Sequence, residues 1–285
     1  MRMIKRIAAV ATVALLFGPL LGAAQADVLW SNNAGTPFVQ AFDTVTGVRL
    51  QSFVGSGGNG RGVVKVGNII YTTDANTASV FKFDATTGAP LGLAFTIPNA
   101  GGISTITFDG DNFWTSDYTG TNKAFYVSPT GVVLKTITLS ESIGFYDGLE
   151  FFNGKLIANR FDGGFQGGNQ YSVYDTDGNL LQKDFIDTTG HGNGTGIAFD
   201  GTNFYISDIF HGQATIWDGT DGHFLGALTL LNTANVIEDL SFDFEDRPDT
   251  CRINCENQNV PAPASLVLLG IGLIGLAVGR MRPHR

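Results

Sequence analysis

An all-β fold made of five similar four-stranded sheets is predicted by three features of this 285-residue chain. The first is a turn that ends in glycine between two strands and recurs as FDTVTGVRLQSF, FDATTGAPLGLAF, VSPTGVVLKTI, YDTDGNLLQKDF and WDGTDGHFLGAL. Its glycines are Gly47, Gly88, Gly131, Gly178 and Gly222, at spacings of 41, 43, 47 and 44 residues. A period near 40 to 50 residues with four strands per unit is that of a β-propeller blade. The second is composition: Gly and Phe are abundant, at 38 and 22 residues, and charged residues are only 15%, where roughly 25% is usual. Such a chain favours short strands and tight turns. The third is a strand missing at one end and present at the other. The region after residue 26 begins with a second-type strand, Val28 to Ser31, and the lacking inner strand appears as IEDLSFDFE, Ile237 to Glu245. Four complete units plus one assembled from both ends make five blades, and pairing of the last strand with the first blade removes an open sheet edge.

The remaining elements fall into register with these turns. Each unit opens with an inner strand (GVVKV, STITF, GLEFF, GIAFD), followed by a short turn and a second strand (NIIYTTD, NFWTSD, KLIANR, NFYISD). The third strand ends on a large or branched residue before the glycine turn, at Phe42, Phe83, Val127, Tyr174 and Trp217. These alternate with polar neighbours, as half-buried strands do, and their bulk suits the wedge between blades. The second-strand pattern and the endings V-x-K-F-D and T-I-W-D resemble the NHL and YVTN propeller repeats over most of residues 27 to 250. A WD-type pair, Gly190-His191 with Trp217-Asp218, occurs in one unit only and is set aside.

Both ends of the chain carry export signals. Arg2, Lys5 and Arg6 precede a mostly apolar run from Ile7 to Leu21, and Ala24-Gln25-Ala26 offers the small residues that signal peptidase accepts. Cleavage is expected after Ala26. At the other end VPAPAS is followed by the apolar Leu266 to Gly279 and by RMRPHR. That run is short of the roughly 20 residues a spanning helix needs. With Pro261, Pro263, the Gly-rich run, Arg280 and Arg282, this layout resembles the PEP-CTERM sorting tail of Gram-negative bacteria, departing from it at Ala262, where a glutamate is usual. The resemblance implies transient inner-membrane association, processing by an exosortase-type enzyme, and a cell-surface or extracellular destination. A plain C-terminal membrane anchor is the alternative. The expected organisation is a signal peptide at 1–26, a propeller at 27–250, a polar linker at 251–259 and a sorting or anchor segment at 260–285, with helices in the two flanking segments. Cys251 and Cys255 in the linker are expected to form a small local disulfide in an oxidising compartment.

Removing both ends leaves eleven Lys and Arg against all 26 Asp and Glu, a formal balance of −15. Phosphate backbones are bound by neutralising them, so nucleic acid is excluded as a partner. The acidity keeps an extracellular protein soluble and is compatible with divalent cations.

Loops that lead into inner strands, and those between second and third strands, gather around one mouth of a propeller channel, the default place for a ligand. Here they supply a candidate ligand-binding face of Arg61, Tyr118, Tyr146, Arg160, His191 and His211. Tyr118, Tyr146, Phe165 and Phe210 are expected to be exposed there. Asp74, Asp117 and Asp208 share one repeat position, where their carboxylates are expected to stiffen turns; Arg160 breaks that series beside the long loop NRFDGGFQGGNQ. Asp147, Asn159, Asp208 and Glu238 are hard oxygen ligands from different blades and form a candidate Ca2+ set. Calcium-dependent lactonases of the gluconolactonase class are similar at the level of architecture. No catalytic residue is assigned. The G-x-G-x-x-G match at Gly55 to Gly60 leads into a strand where a dinucleotide site needs a helix, and neither G-x-S-x-G nor H-E-x-x-H is present. The expected function is that of an exported binding protein of the cell surface or extracellular matrix, recognising an exopolysaccharide or a matrix protein. The alternative is a calcium-dependent lactonase or esterase-type hydrolase acting in the channel.

Overall fold

The structure, a computed structural model, describes residues 27–35, 38–55, 59–142, 146–160, 169–234 and 236–244. Several expected features lie outside them: the signal segment with Ala24 and Ala26, both flanking helices, the Cys251 and Cys255 pair, the tail with Pro261, Pro263, Arg280 and Arg282, and the loop residues Asp162 and Phe165. Among the described residues no helix is long and apolar enough to cross a membrane.

The described strands form five antiparallel four-stranded sheets. Blade 1 contains β1 (Val28–Asn33), β2 (Phe38–Asp43) and β3 (Arg49–Val54), with β20 (Ile237–Ser241) as its inner strand. Blade 2 runs β4 (Gly60–Val66), β5 (Ile69–Asp74), β6 (Ser79–Asp84) and β7 (Pro90–Thr96). Blade 3 runs β8 (Ile103–Phe108), β9 (Phe113–Asp117), β10 (Lys123–Val127) and β11 (Val133–Thr138). Blade 4 runs β12 (Leu149–Phe152), β13 (Lys155–Arg160), β14 (Gln170–Tyr174) and β15 (Leu180–Asp187). Blade 5 runs β16 (Gly194–Phe199), β17 (Asn203–Asp208), β18 (Gln213–Asp218) and β19 (Phe224–Thr229). The ring closes as expected, with Trp30 opposite Ser241, Ser31 opposite Leu240 and Asn32 opposite Asp239. The fold is a five-bladed β-propeller.

Its core is divided into five wedges, each between neighbouring blades. Phe83 and Ile70 of blade 2 pack with Trp30 and Val39 of blade 1, and Val127 and Phe113 of blade 3 with Phe95 and Val80 of blade 2. Tyr174 and Leu156 of blade 4 meet Trp114 and Ile137 of blade 3, and Trp217 and Phe204 of blade 5 meet Ile157 and Phe185 of blade 4. Phe42 and Leu240 of blade 1 close the circle against Tyr205 and Leu228 of blade 5. Every third-strand residue picked out by the repeat therefore packs back against the preceding blade. The glycine turns do the same. All five glycines have left-handed φ between 69° and 87°, and a Cβ on Gly47, Gly88, Gly131, Gly178 or Gly222 would press on the outer strand of the blade before it. One residue type thus satisfies both the turn and the close approach.

A second repeated device sits where the inner strands begin. The residue before the repeat Asp or Arg is polar, and its side-chain oxygen accepts an inner-strand N–H: Thr73 from Gly62 at 2.7 Å, Ser116 from Thr105 at 3.1 Å, Asn159 from Gly148 at 3.0 Å and Ser207 from Gly196 at 2.9 Å. Blades 2, 3 and 5 show a register shift at this point, between Gly60 and Val63, Ile103 and Ile106, and Gly194 and Ile197. Such bulges re-aim side chains at a sheet rim.

Candidate functional site

The residue just before each of these bonded positions is Arg61, Ser104, Asp147 and Thr195, and Glu238 is its counterpart on β20. Three of the five carry charge, and they meet. Arg61 Nη1 lies 2.8 Å from Glu238 Oε2 and 3.5 Å from Asp147 Oδ2. Ser104 Oγ donates to Asp147 Oδ1 at 2.5 Å, and the guanidinium stands 4.8 Å from the centre of the Tyr118 ring, within cation–π range. The side chains of Arg61, Asp147 and Glu238 are 15%, 8% and 4% exposed.

Burial dominates the electrostatics. It pushes the Asp147 carboxyl up, although Arg61 and Ser104 act the other way. Burial, and then the charge of Asp147, pushes Glu238 up to about 7. Arg61 is held above its ordinary range because the two carboxylates outweigh its own desolvation. One guanidinium thus serves two acids, and the pair holds a proton more tightly than free carboxylates do. Asp239 follows in sequence and accepts from the Val63 N–H at 3.1 Å and from Thr105 Oγ1 at 2.9 Å. Full burial holds its carboxyl well above the usual range.

The other expected site residues are dispersed. Asn159 is buried and engaged with Gly148. The Asp208 carboxylate accepts from Gln213 Nε2 at 3.0 Å and from the Asn193 N–H at 3.3 Å, and pairs with His211 Nδ1 at 2.8 Å. Of the candidate calcium ligands, Asp147 and Glu238 share the Arg61 guanidinium, Asn159 accepts from the residue after Asp147, and Asp208 is engaged by loop partners of blade 5. Among the described residues, the carboxylates and imidazoles that lie together within ligand distance are Asp218, Asp221 and His223, in an outer turn of blade 5. Arg160 donates to Gln170 Oε1 at 3.2 Å. His191 stacks on Phe224 of β19 with ring centres 3.9 Å apart. Tyr146 corrects the expectation of an exposed aromatic. It is fully buried between blades 3 and 4, with its hydroxyl donating to the Lys123 carbonyl at 2.5 Å. Phe210 is exposed as expected, at 54%. Asp74, Asp117 and Asp208 each accept loop N–H bonds, from Asn76, Thr119 and Asn193 among others.

A groove on the outer flank between blades 2 and 3, running from the β9–β10 loop to the β10–β11 turn, was not visible in the sequence. It has a cavity volume of about 820 Å³ and is lined by Asn99, Asp117, Thr119, Thr121, Lys123 and Phe125, among others. The Asp117 carboxylate is fixed by the Thr119 N–H and hydroxyl, at 3.0 and 2.7 Å, and by the Thr121 hydroxyl. The signal that could have pointed to it is the hydroxyl-rich TGTNK stretch. Its opposite wall, around Pro98 and Asn99, belongs to the preceding blade.

The PEP-CTERM protein-sorting motif matches residues 259–282. No curated protein sequence matches the chain. Among solved structures, a chain from a crystal structure of a nidogen/laminin complex is 12% identical, with a TM-score of 0.53, over 77% of this chain and 99% of that one. The glutaminyl cyclase of Myxococcus xanthus is 16% identical, with a TM-score of 0.46, over 60% and 70% of the two chains. The first is a likeness of fold alone, and the second is weaker. The protein is thus a five-bladed β-propeller carrying a PEP-CTERM sorting signal, which marks it for export through the membrane to the cell surface or extracellular space.

Proposed function

We propose that this protein is a non-enzymatic binding module of the cell surface or extracellular matrix, which takes a glycan of the surrounding exopolymer along the flank groove. The observation that carries this reading is the groove itself. Its size lies in the range of small-molecule sites, and its lining combines Thr hydroxyls, the Asn99 amide, the Asp117 carboxylate and the ring of Phe125. Hydroxyl and amide groups exchange hydrogen bonds with sugar hydroxyls, and an aromatic ring offers a face to sugar C–H groups. The acidic balance of the chain disfavours polyanions, so an uncharged glycan fits best. In the channel the Arg61 guanidinium stands within reach of both Asp147 and Glu238, which argues against reading it as the site of a calcium-dependent hydrolase.

The test is calorimetric titration of the purified propeller with matrix polysaccharide from its host and with a neutral glycan panel. Binding is expected, with at least a tenfold loss in Phe125→Ala and in the pair Thr119→Ala/Lys123→Ala, while near-UV circular dichroism stays native. Binding that survives both variants moves the site elsewhere. Turnover of an ester or lactone panel that requires calcium would favour the hydrolase.

A further inference from the structure

Each blade hands the chain to the next through a short segment after its outer strand, and these segments follow one plan. The first N–H after the strand returns to its own blade: Ile97 to the Ala78 carbonyl, Leu139 to Asn122, Thr188 to Asn169 and Leu230 to Gly212. Two residues further on, Asn99, Gly190 and Asn232 have left-handed φ of 62°, 82° and 60°. Matching side chains can therefore be compared from flank to flank. Between blades 4 and 5, His191 lays its ring on Phe224 and meets Trp217 edge to face at 5.4 Å. Between blades 3 and 4, Glu141 pairs with Lys183 at 2.8 Å, and its N–H donates to the Tyr174 hydroxyl at 3.0 Å. Between blades 5 and 1, Arg49 donates to the Asn232 carbonyl, and the Leu231 N–H to the Gly47 carbonyl at 2.8 Å. In these three flanks the chain closes its own gap. Between blades 2 and 3 the counterpart of His191 is Ala100, that of Glu141 is Asn99, and that of Phe224 and Arg49 is Val133. Ala100 and Val133 pack down on the core of their wedge, and the space above them is the groove.

We infer that this flank is an open-ended cleft for an internal stretch of a linear, uncharged glycan chain, kept open by the small residues Ala100 and Val133. The inference rests on the reading of the groove as a glycan site. Thr119 and Thr121 of the β9–β10 loop stand at one end, and Thr130 and Val132 of the β10–β11 turn at the other. All four are exposed, so neither end is walled off and a chain can run past both. Between the ends lies β10, five residues long, or about 15 Å at roughly 3.3 Å per residue. A lone sugar ring leaves most of that length empty, whereas several rings in a row fill it. Phe125 and Val133 give the middle an apolar floor for the C–H faces of the rings, and the threonines at the ends meet hydroxyls. The His191 ring, stacked in the sister flank, shows that a flat ring fits against this part of a blade.

The experiment titrates the full chain, held in detergent, with the uncharged matrix polysaccharide of its host and with a size ladder cut from it, from disaccharide to long chains. Affinity is expected to rise roughly tenfold or more from disaccharide to hexasaccharide, and to be unchanged when the chain ends are reduced with borohydride. Ala100→His/Val133→Phe copies the filling seen between blades 4 and 5, and is expected to weaken long-chain binding by roughly tenfold or more with native near-UV circular dichroism. The ladder needs no variant, so it decides the matter even if the double variant misfolds. A disaccharide that binds as tightly as the long chains, or binding lost on reduction of the ends, overturns the inference and leaves the glycan reading standing. Undiminished binding by the folded double variant overturns it as well. A parent polysaccharide that does not bind at all removes the glycan reading, and the inference with it.

Discussion

A single glycine in each blade carries two constraints at once. Gly222 has a φ of +75°, and a Cβ there would run into the carbonyl of Phe185 on the outer strand of blade 4. Gly190 has a similar φ of +82° but has no atom within 4 Å of where its Cβ would be. Left-handed backbone costs an L-residue roughly 1–2 kcal/mol. Gly190→Ala should therefore lose about that much, and Gly222→Ala should lose on the order of twice as much, because the blade interface has to open as well. Chemical denaturation of the two variants measures the difference; equal losses would mean that the turn conformation alone, and not the interface, demands the glycine. Arg61 shows the same economy in charge. Neither carboxylate beside it could remain ionised at such burial without it, and removing one partner of a buried pair is far costlier than never having had it.

The element that decides the architecture is β20. Its side chains clasp β4 along its length: Glu238 on Arg61, Asp239 on the Val63 N–H, Ser241 on the Lys65 N–H at 3.1 Å, and Asp243 on Lys65 and the Gly67 N–H. The last strand thus joins blade 1 through its backbone and blade 2 through its side chains. Asp239→Ala leaves the Val63 N–H and the Thr105 hydroxyl without this acceptor, and a buried unsatisfied group costs ~1–3 kcal/mol. A loss of about 3 kcal/mol is expected, with Asp239→Asn recovering most of it through its amide oxygen. Urea titrations that find Asn as damaging as Ala would show that the negative charge, not the acceptor, is what matters.

Across the molecule, five wedges share the burial and one acidic cluster sets the response to pH. Glu238 has a folded-state pKa of about 7 against an ordinary 4.5. Between those values the native state holds a proton that the unfolded chain has released, so stability falls as pH rises through this window. The shift corresponds to a few kcal/mol, taken as an order of magnitude. Asp147 and Asp239 are raised as well and act in the same direction. The turn aspartates Asp43, Asp84 and Asp175 are lowered by hydrogen bonds from their own turns; their contribution is present above the ordinary carboxylate range and is lost as pH falls below it. Maximum stability is expected around the ordinary carboxylate range, at about pH 4, with a higher Tm at pH 5 than at pH 8. Glu238→Gln should flatten that decline. A Tm that rises from pH 5 to pH 8 in the parent protein would remove Glu238 from this role.

The repeat and the blade count were legible in the chain because each unit is written within about 45 residues of sequence, and the closing strand because the first unit lacks an inner strand that the far end supplies. Glycine turns, strand alternation and bulky third-strand residues need only local backbone preferences to be read. The charged cluster was half legible. Arg61, Asp147 and Glu238 were all recognisable as mouth residues, yet their pairing depends on three blades brought together by ring closure. Tyr146 was misplaced because the twist of a blade sets which way a loop side chain turns, and that has no local signature. The groove was invisible, since its two walls come from different repeats. Local chemistry along the chain determined which blades form and how many, whereas packing between blades decided which polar groups meet, because those contacts arise only where non-adjacent segments are forced against one another around a closed ring.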